Sequence, residues 1–294
     1  MTMKTIWKRF AAGFLAATLA LSLTACGGGS SSSSGESSEG EDTSLSDIQK
    51  RGKLIVGMNA EFAPYEFHIM ENGEDKLVGM DIEIAQAIAD DMGVELEIKE
   101  LAFDALITAL NAGQVDILIS GLSATEKRRE QIDFSEPYYK SKTVAMINKK
   151  NAGQYKTLDD LKDKKLGVQL SSLQQQAVNN AFPDKPDDEY MLIESMNTLM
   201  LALKADQIDA LVTADIVCKQ AMAANPEFTV AEGSEFDLDF LNSPGAAVGI
   251  RKGSDALKAQ LDSTIIRLKD EGKIDEFMNR ACEIAANNVS AEEA

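Results

Sequence analysis

The residues of this 294-residue chain best suited to chemistry on a small molecule centre on Arg128. A planar guanidinium grips a carboxylate through two parallel N–H···O bonds, and the hydroxyl of Ser123 offers a further donor to the same group. Such a pair is half of a site for an amino acid. Asn59, Glu61 and Phe62 follow one short apolar run, Phe103 introduces Asp104, and Ser171, Ser172 and Gln174 follow another run. Each has a plainer reading beside the binding one. Lys127 and Arg129 flank Arg128, and Glu126 and Glu130 could pair with them, which is also the pattern of a solvated helix. Ser171 and Ser172 equally suit the N-cap of a helix beginning near Gln174, and Phe62 and Phe103 equally suit a core.

Other chemistries find little material. His68 is the only histidine, so a Ser-His-Asp or Cys-His nucleophile would have to be built on it, and an enzyme of that type is not expected. No cluster of Cys, His and carboxylates has metal-ligand spacing, so neither a metal nor a cofactor is expected. Glu61 and Glu66 could act as general acids. Recognition of a polar or cationic side chain is the preferred role for both. Cys218 and Cys282 either pair or remain as two buried thiols, because their separation in space cannot be read from spacing along the chain.

The elements that must carry these residues begin after an N-terminal leader. Lys4, Lys8 and Arg9 precede an apolar run from Phe10 to Leu23, too short to span a bilayer comfortably, and small residues follow. Leu23, Thr24, Ala25 and Cys26 match the L-x-[AG]-C box of bacterial lipoproteins, which implies cleavage after residue 25 and a lipid on Cys26. Residues 26–44 are Gly/Ser-rich and read as a disordered tether, with the folded part starting near Leu45. Loss of residues 1–25 leaves 26 basic against 48 acidic side chains, a net charge of −22. That balance disfavours nucleic acid and anionic lipid surfaces as partners.

From Lys53 onward, β-like runs alternate with amphipathic helical stretches, the pattern of an α/β chain with a largely parallel sheet. Strands are predicted at Leu54–Gly57, Leu96–Ile98, Lys165–Gln169 and Ala247–Ile250, with a hairpin at Asn72 and Gly73. Helices are predicted at Asp81–Met92, Gln174–Phe182, Asp215–Ala224, Asp255–Lys269 and Ile274–Ala286, and Thr143–Ile147 reads as an outgoing hinge. LITALNAGQVDILIS from Leu106 echoes LMLALKADQIDALVT from Leu199 at an offset of 93 residues, repeating Gln114 as Gln207 and Asp116 as Asp209. Two copies of one helix-turn-strand unit imply two similar lobes, whose strand ends would face a common cleft.

At these residues the sequence resembles the bacterial extracellular solute-binding proteins of polar amino-acid ABC importers. LIVGMNAEFAPYEF, VGMDIEIAQAIADDMG, LISGLSATEKRREQIDFSEPYY, LGVQLSSLQQQ and VGIRKGSDAL carry the resemblance, which spans Leu45 to Glu283. It implies a two-lobed, type II venus-flytrap fold with a two-crossing hinge, residues 45–141 and 245–294 forming lobe 1 and 142–244 lobe 2. It implies that Arg128 takes an α-carboxylate with Ser123 and Ser172 assisting, and that Phe62 and Phe103 sandwich the ligand side chain near Asn59. The Gly121 carbonyl would accept from the α-ammonium, and Gln174 starts a helix in lobe 2. Two positions depart from the family pattern: Leu173 replaces a hydroxyl residue, and Ala214 replaces the acid that meets the α-ammonium, leaving Asp215 as the nearest candidate. The implied partners are a small amino acid or related solute, an ABC permease with its ATPase, and the outer face of the cell membrane through the lipid on Cys26, with the protein itself a monomer. A dehydratase acting on prephenate- or arogenate-like acids, and a ligand-binding sensor component, are the alternatives on the same fold.

Overall fold

The computed structural model describes residues 42–292. The leader, Cys26 and the tether up to residue 41 lie outside the described residues. Asp42 already belongs to the fold: its Oδ2 accepts the backbone N–H of Ala256 at 2.7 Å, and its Oδ1 accepts that of Ser44, where the first helix, Ser44–Arg51, begins.

Two five-stranded sheets organise the rest. In the first, the order is Glu95–Glu100, Lys53–Met58, Ile117–Leu118, Ala246–Ile250 and Asp133–Tyr139, the first three parallel and the last two joined antiparallel. The second repeats that plan with Tyr190–Ile193, Leu166–Gln169, Ala210–Ala214, Thr143–Asn148 and Phe228–Val230. A small antiparallel sheet of Glu61–Phe62, Glu66–Glu71 and Glu74–Val78 turns at Asn72 and Gly73, both at positive φ as a tight hairpin requires. Helix Met80–Met92 presents Ile84, Ala85, Ile88, Ala89 and Met92 to the first core, the face its spacing predicted. The second sheet has its own core around Ile147, Val168, Val178 and Val212.

The sequence echo is a structural repeat. Gly113 and Asp206, 93 residues apart, both take positive φ, and Gln114 and Gln207 close equivalent turns by donating N–H to the carbonyls of Ala109 and Ala202. Asp116 Oδ2 accepts the N–H of Ile55 and Asp209 Oδ2 that of Lys165, each at 2.8 Å, so each aspartate ties its strand to the start of its neighbour. The repeated Asp thus does local work that apolar spacing alone would not demand.

One expectation is corrected. Thr143–Ile147 is not a hinge: Thr143–Asn148 is buried at all six positions and pairs with strands on both sides inside the second sheet. A strand flanked on both edges satisfies its backbone only within a sheet, which is why an apolar run occurs here. The chain leaves the first sheet at Tyr139 and enters the second at Thr143. It returns through residues 231–245. Lys142 Nζ meets Glu235 Oε2 at 2.8 Å and joins the two passages. Gly245, at φ +135°, lies where a Cβ would collide with the Tyr139 carbonyl, so the close approach of the passages requires glycine.

Candidate functional site

Ligands of open parallel sheets sit beyond the carboxyl ends of the strands. Here those ends carry Asn59, Ser120–Gly121, Ser171–Ser172 and Asp215, and the two sheets bring them together. Asn59 donates through Nδ2 to the Leu101 carbonyl at 3.2 Å, and its Oδ1 accepts from Gln169 Nε2, in the other sheet, at 3.0 Å. Gly121, at φ +52°, sets its backbone so close to Phe62 that a Cβ would lie 3.1 Å from the ring edge. Phe62 in turn stacks on Tyr65 with centroids 5.1 Å apart.

Arg128 decides between its two readings. Thr125 caps the short helix Glu126–Arg129, its hydroxyl accepting the Arg128 N–H, and the turn points Arg128 inward while Lys127 stays exposed. The Arg128 side chain is only 6% exposed as a residue, with its guanidinium 5.4 Å from the Phe103 ring centroid. Nη1 donates to the Ser123 carbonyl at 2.9 Å and Nη2 to the Ser171 carbonyl at 3.1 Å. Among the described residues no carboxylate forms an ion pair with it. Burial pulls its pKa down to about 10, the sign of a cation held without a counter-charge. Two carbonyl dipoles do not neutralise a full charge, so the arrangement favours an incoming anion.

The remaining positions divide. Ser123 lines a cavity of about 860 Å³ with Thr143, Leu173 and both inter-sheet passages. Arg128, Ser171 and Ser172 line another of about 420 Å³. Ser172 Oγ is engaged as the N-cap of helix Leu173–Ala181, accepting from Gln175 N–H and donating to the Gln169 carbonyl at 2.7 Å. That hydroxyl thus makes the N-cap bonds of the plainer reading. Gln174 is half-buried in the first turn of the same helix. Asp215 opens helix Asp215–Ala224, and its Oδ1 accepts the Lys142 N–H at 3.1 Å, gripping the outgoing passage. Glu61 reaches the second half, its Oε2 accepting the N–H of Asn197 at 3.4 Å. Glu66, by contrast, is wholly buried behind Ser120. Sequence reading missed Gln169 and Tyr65. Gln169 was legible only as a polar residue closing a buried strand, and Tyr65 carried no signal apart from Phe62 three positions before it.

A model of the bacterial extracellular solute-binding proteins, family 3, matches residues 54–282. The chain belongs to this family. It is 32% identical over 269 residues to the arginine-binding extracellular protein ArtP of Bacillus subtilis, covering 90% of this chain and 94% of ArtP. It is 33% identical over 261 residues to a probable histidine-binding protein of Campylobacter jejuni, covering 85% and 94%. Among solved structures, an amino acid ABC transporter substrate-binding protein from Streptococcus pneumoniae bound to L-arginine superposes with a TM-score of 0.77 at 33% identity, covering 82% of this chain and 98% of that one. This solute-binding protein therefore has the two-lobed type II fold that the resemblance implied, and its strand ends meet at the cleft between the sheets. Both free cysteines in the described residues, Cys218 and Cys282, remain thiols, and burial pushes Cys218 up to about 12.

Proposed function

We propose that this solute-binding protein captures a free α-amino acid with a basic side chain, arginine foremost, and presents it to an ABC permease and its ATPase. The observation that carries the reading is the buried, uncompensated guanidinium of Arg128. An α-carboxylate docking there would supply the missing charge bidentately, with Ser123 and the start of helix Leu173–Ala181 beside it. Phe62 and Phe103 flank the path of the ligand side chain. At the far end Asn59 borders a cavity of about 320 Å³ that Glu61, Glu100 and Glu194 make acidic, suited to a cationic tip. The relatives that bind arginine support the same choice. With Ala214 unable to meet the α-ammonium, that group falls to the Gly121 carbonyl and to Asp215 Oδ2, the oxygen that the Lys142 N–H leaves open.

Residues 45–141 with 245–294 would close as one lobe on 142–244, bending at the Tyr139–Thr143 and 231–245 passages, since closure needs only a higher ligand affinity of the closed state. Binding rather than catalysis is favoured by the relatives named as binding proteins, and Glu66, one of the two candidate acids, is buried behind Ser120. Lipid on Cys26 would hold a monomer at the outer face of the cell membrane.

Thermal unfolding tests the ligand. The protein from residue 42 onward, refolded from denaturant to remove carried ligand, is scanned with each of the twenty amino acids. A ligand at 100 times its Kd adds about 2.7 kcal/mol of stability. A shift with arginine or another basic amino acid, lost in Arg128→Ala, supports the reading; no shift with any amino acid overturns it.

A further inference from the structure

Behind the Ser120–Gly121 strand end lies a pair of acids that the proposed binding step does not touch. Glu66 opens the strand Glu66–Glu71, Asp81 stands in the first turn of helix Met80–Met92, and both are fully buried. Glu66 Oε1 accepts from Ser120 Oγ at 2.6 Å. Asp81 Oδ2 accepts from the Gly121 N–H at 2.6 Å and from the Tyr138 hydroxyl at 2.9 Å. The other two oxygens, Glu66 Oε2 and Asp81 Oδ1, have no partner when both groups are ionised. The two side chains are nevertheless within hydrogen-bonding reach of each other.

Among the described residues no cation compensates them. The groups facing the pair are Tyr138 from the strand Asp133–Tyr139, Tyr65 from the preceding turn and Ser120, with Asp215 acting on Tyr65 from the second half. Two bare carboxylates side by side in such surroundings would each bear the cost of burial and repel each other. One proton on Glu66 Oε2, donated to Asp81 Oδ1, removes one charge and gives both orphaned oxygens a partner.

We propose that Glu66 and Asp81 share a single proton and act as a positioning pair that fixes Ser120 and Gly121 for ligand capture. The positions they hold lead straight to the cleft. Ser120 Oγ accepts the Asn59 N–H at 3.0 Å, Asn59 meets Gln169 across the sheets, and Gly121 backs the Phe62 ring. Burial, and then the charge of Asp81, raise Glu66 well above the ordinary carboxylate range, and burial pushes Asp81 up to about 6. Both groups hold protons more tightly folded than unfolded. Their contribution to stability is therefore complete below about pH 4, where unfolded carboxylates titrate, and declines as pH rises through the folded values. When the shared proton leaves, repulsion separates the side chains and moves the strand end they hold.

The functional half of this proposal rests on the amino-acid reading above; the shared proton does not. Glu66→Gln supplies a permanent N–H donor to Asp81, while its amide oxygen still accepts from Ser120. The ligand-free protein at pH 7.5 should show an infrared band of a protonated carboxyl group that Glu66→Gln removes; its absence overturns the shared proton. Arginine affinity should weaken about tenfold between pH 6 and pH 9 in the natural protein and stay flat in Glu66→Gln, which should match the natural protein at pH 6. Identical pH profiles overturn the positioning role. Should no amino acid bind, the proposed ligand fails separately, and urea unfolding of the ligand-free protein judges the pair: the natural protein must lose stability relative to Glu66→Gln from pH 6 to pH 9. Asp81→Asn, which offers Glu66 a permanent donor, repeats each arm if Glu66→Gln does not fold.

Discussion

Asn59 and Gln169 occupy equivalent places in the two sheets and hydrogen-bond to each other, Nε2 to Oδ1, at 3.0 Å. Val56 pairs with Ile117 as Leu166 pairs with Ala210, so each amide stands three residues further along the matching strand. Both are almost fully buried, and Gln169 Nε2 also donates to the Glu194 carbonyl. The contact joins the two sheets, so under the proposed hinge closure it would stabilise the closed arrangement alone. Gln169→Ala leaves a buried Asn59 oxygen unpaired, at a cost of about 1–3 kcal/mol. Ligand affinity should fall roughly 5- to 150-fold, with the maximum dimension seen by small-angle scattering increased in the ligand-free protein. Unchanged affinity and dimension would show that the contact does not hold the halves closed.

The repeat also predicts where stability resides. Asp116 and Asp209 each accept a backbone N–H from the neighbouring strand, and Asp116 additionally meets Arg51. A hydrogen bond to a charged group contributes about 1.5–3 kcal/mol. Asp116→Ala and Asp209→Ala should each lower the urea midpoint, Asp116→Ala by slightly more because it also removes the ion pair with the half-exposed Arg51, whereas Asp→Asn at either site should restore most of the loss. Equal midpoints for Asp116→Ala and the natural protein would remove the strand tie from the account.

These aspartates show how much the sequence disclosed. Four strands of the first sheet, two of the second, the hairpin at Asn72 and Gly73, and most helices were legible because their apolar periods and turn residues are local signals, whereas Asp133–Tyr139, Tyr190–Ile193 and Phe228–Val230 were not legible as strands. The repeat was legible because a strand-tying Asp recurs at a fixed offset. What stayed hidden depends on distant partners. Nothing near Arg128 in sequence distinguishes an inward guanidinium from its exposed neighbour Lys127; the turn capped by Thr125 makes that difference. Thr143–Asn148 reads like any apolar crossing until strands from residues 210–214 and 228–230 flank it. Glu66 reads as a candidate for recognising a polar side chain and Asp81 as the start of a helix, and only the return of residues 120–121 and Tyr138 buries both.

His68 predicts a pH effect of definite sign. Its Nε2 meets Glu100 at 3.0 Å and its Nδ1 meets Asp75 at 2.9 Å, joining the hairpin to the edge strand of the first sheet. Glu100 raises its pKa most, burial opposes it, and Asp75 adds a further rise, so the net direction is up. A cation with a raised folded pKa stabilises fully below its unfolded value, about 6.5, and the contribution disappears as pH rises through the folded value. The difference in urea midpoint between the natural protein and His68→Ala should shrink from pH 5.5 to pH 8.5. A constant difference would mean that His68 acts by packing and not by charge.

Arg128 should set function against stability. In the ligand-free protein its cation is buried with two carbonyls and an aromatic face, and among the described residues no counter-charge offsets its desolvation. An apolar side chain of similar length would not bear that cost, and replacing buried charge by packed apolar groups stabilises other proteins by about 1–4 kcal/mol. Arg128→Met should therefore raise the Tm of the ligand-free protein by a few degrees. The same substitution removes the group proposed to hold the carboxylate, and loss of one partner from a buried charged pair costs about 2–5 kcal/mol of binding, roughly 30- to 5,000-fold in affinity. Calorimetric unfolding with and without arginine measures both effects in one pair of scans. A variant less stable without ligand, yet still stabilised by arginine, would show Arg128 to be a structural residue and would move the carboxylate elsewhere in the cleft.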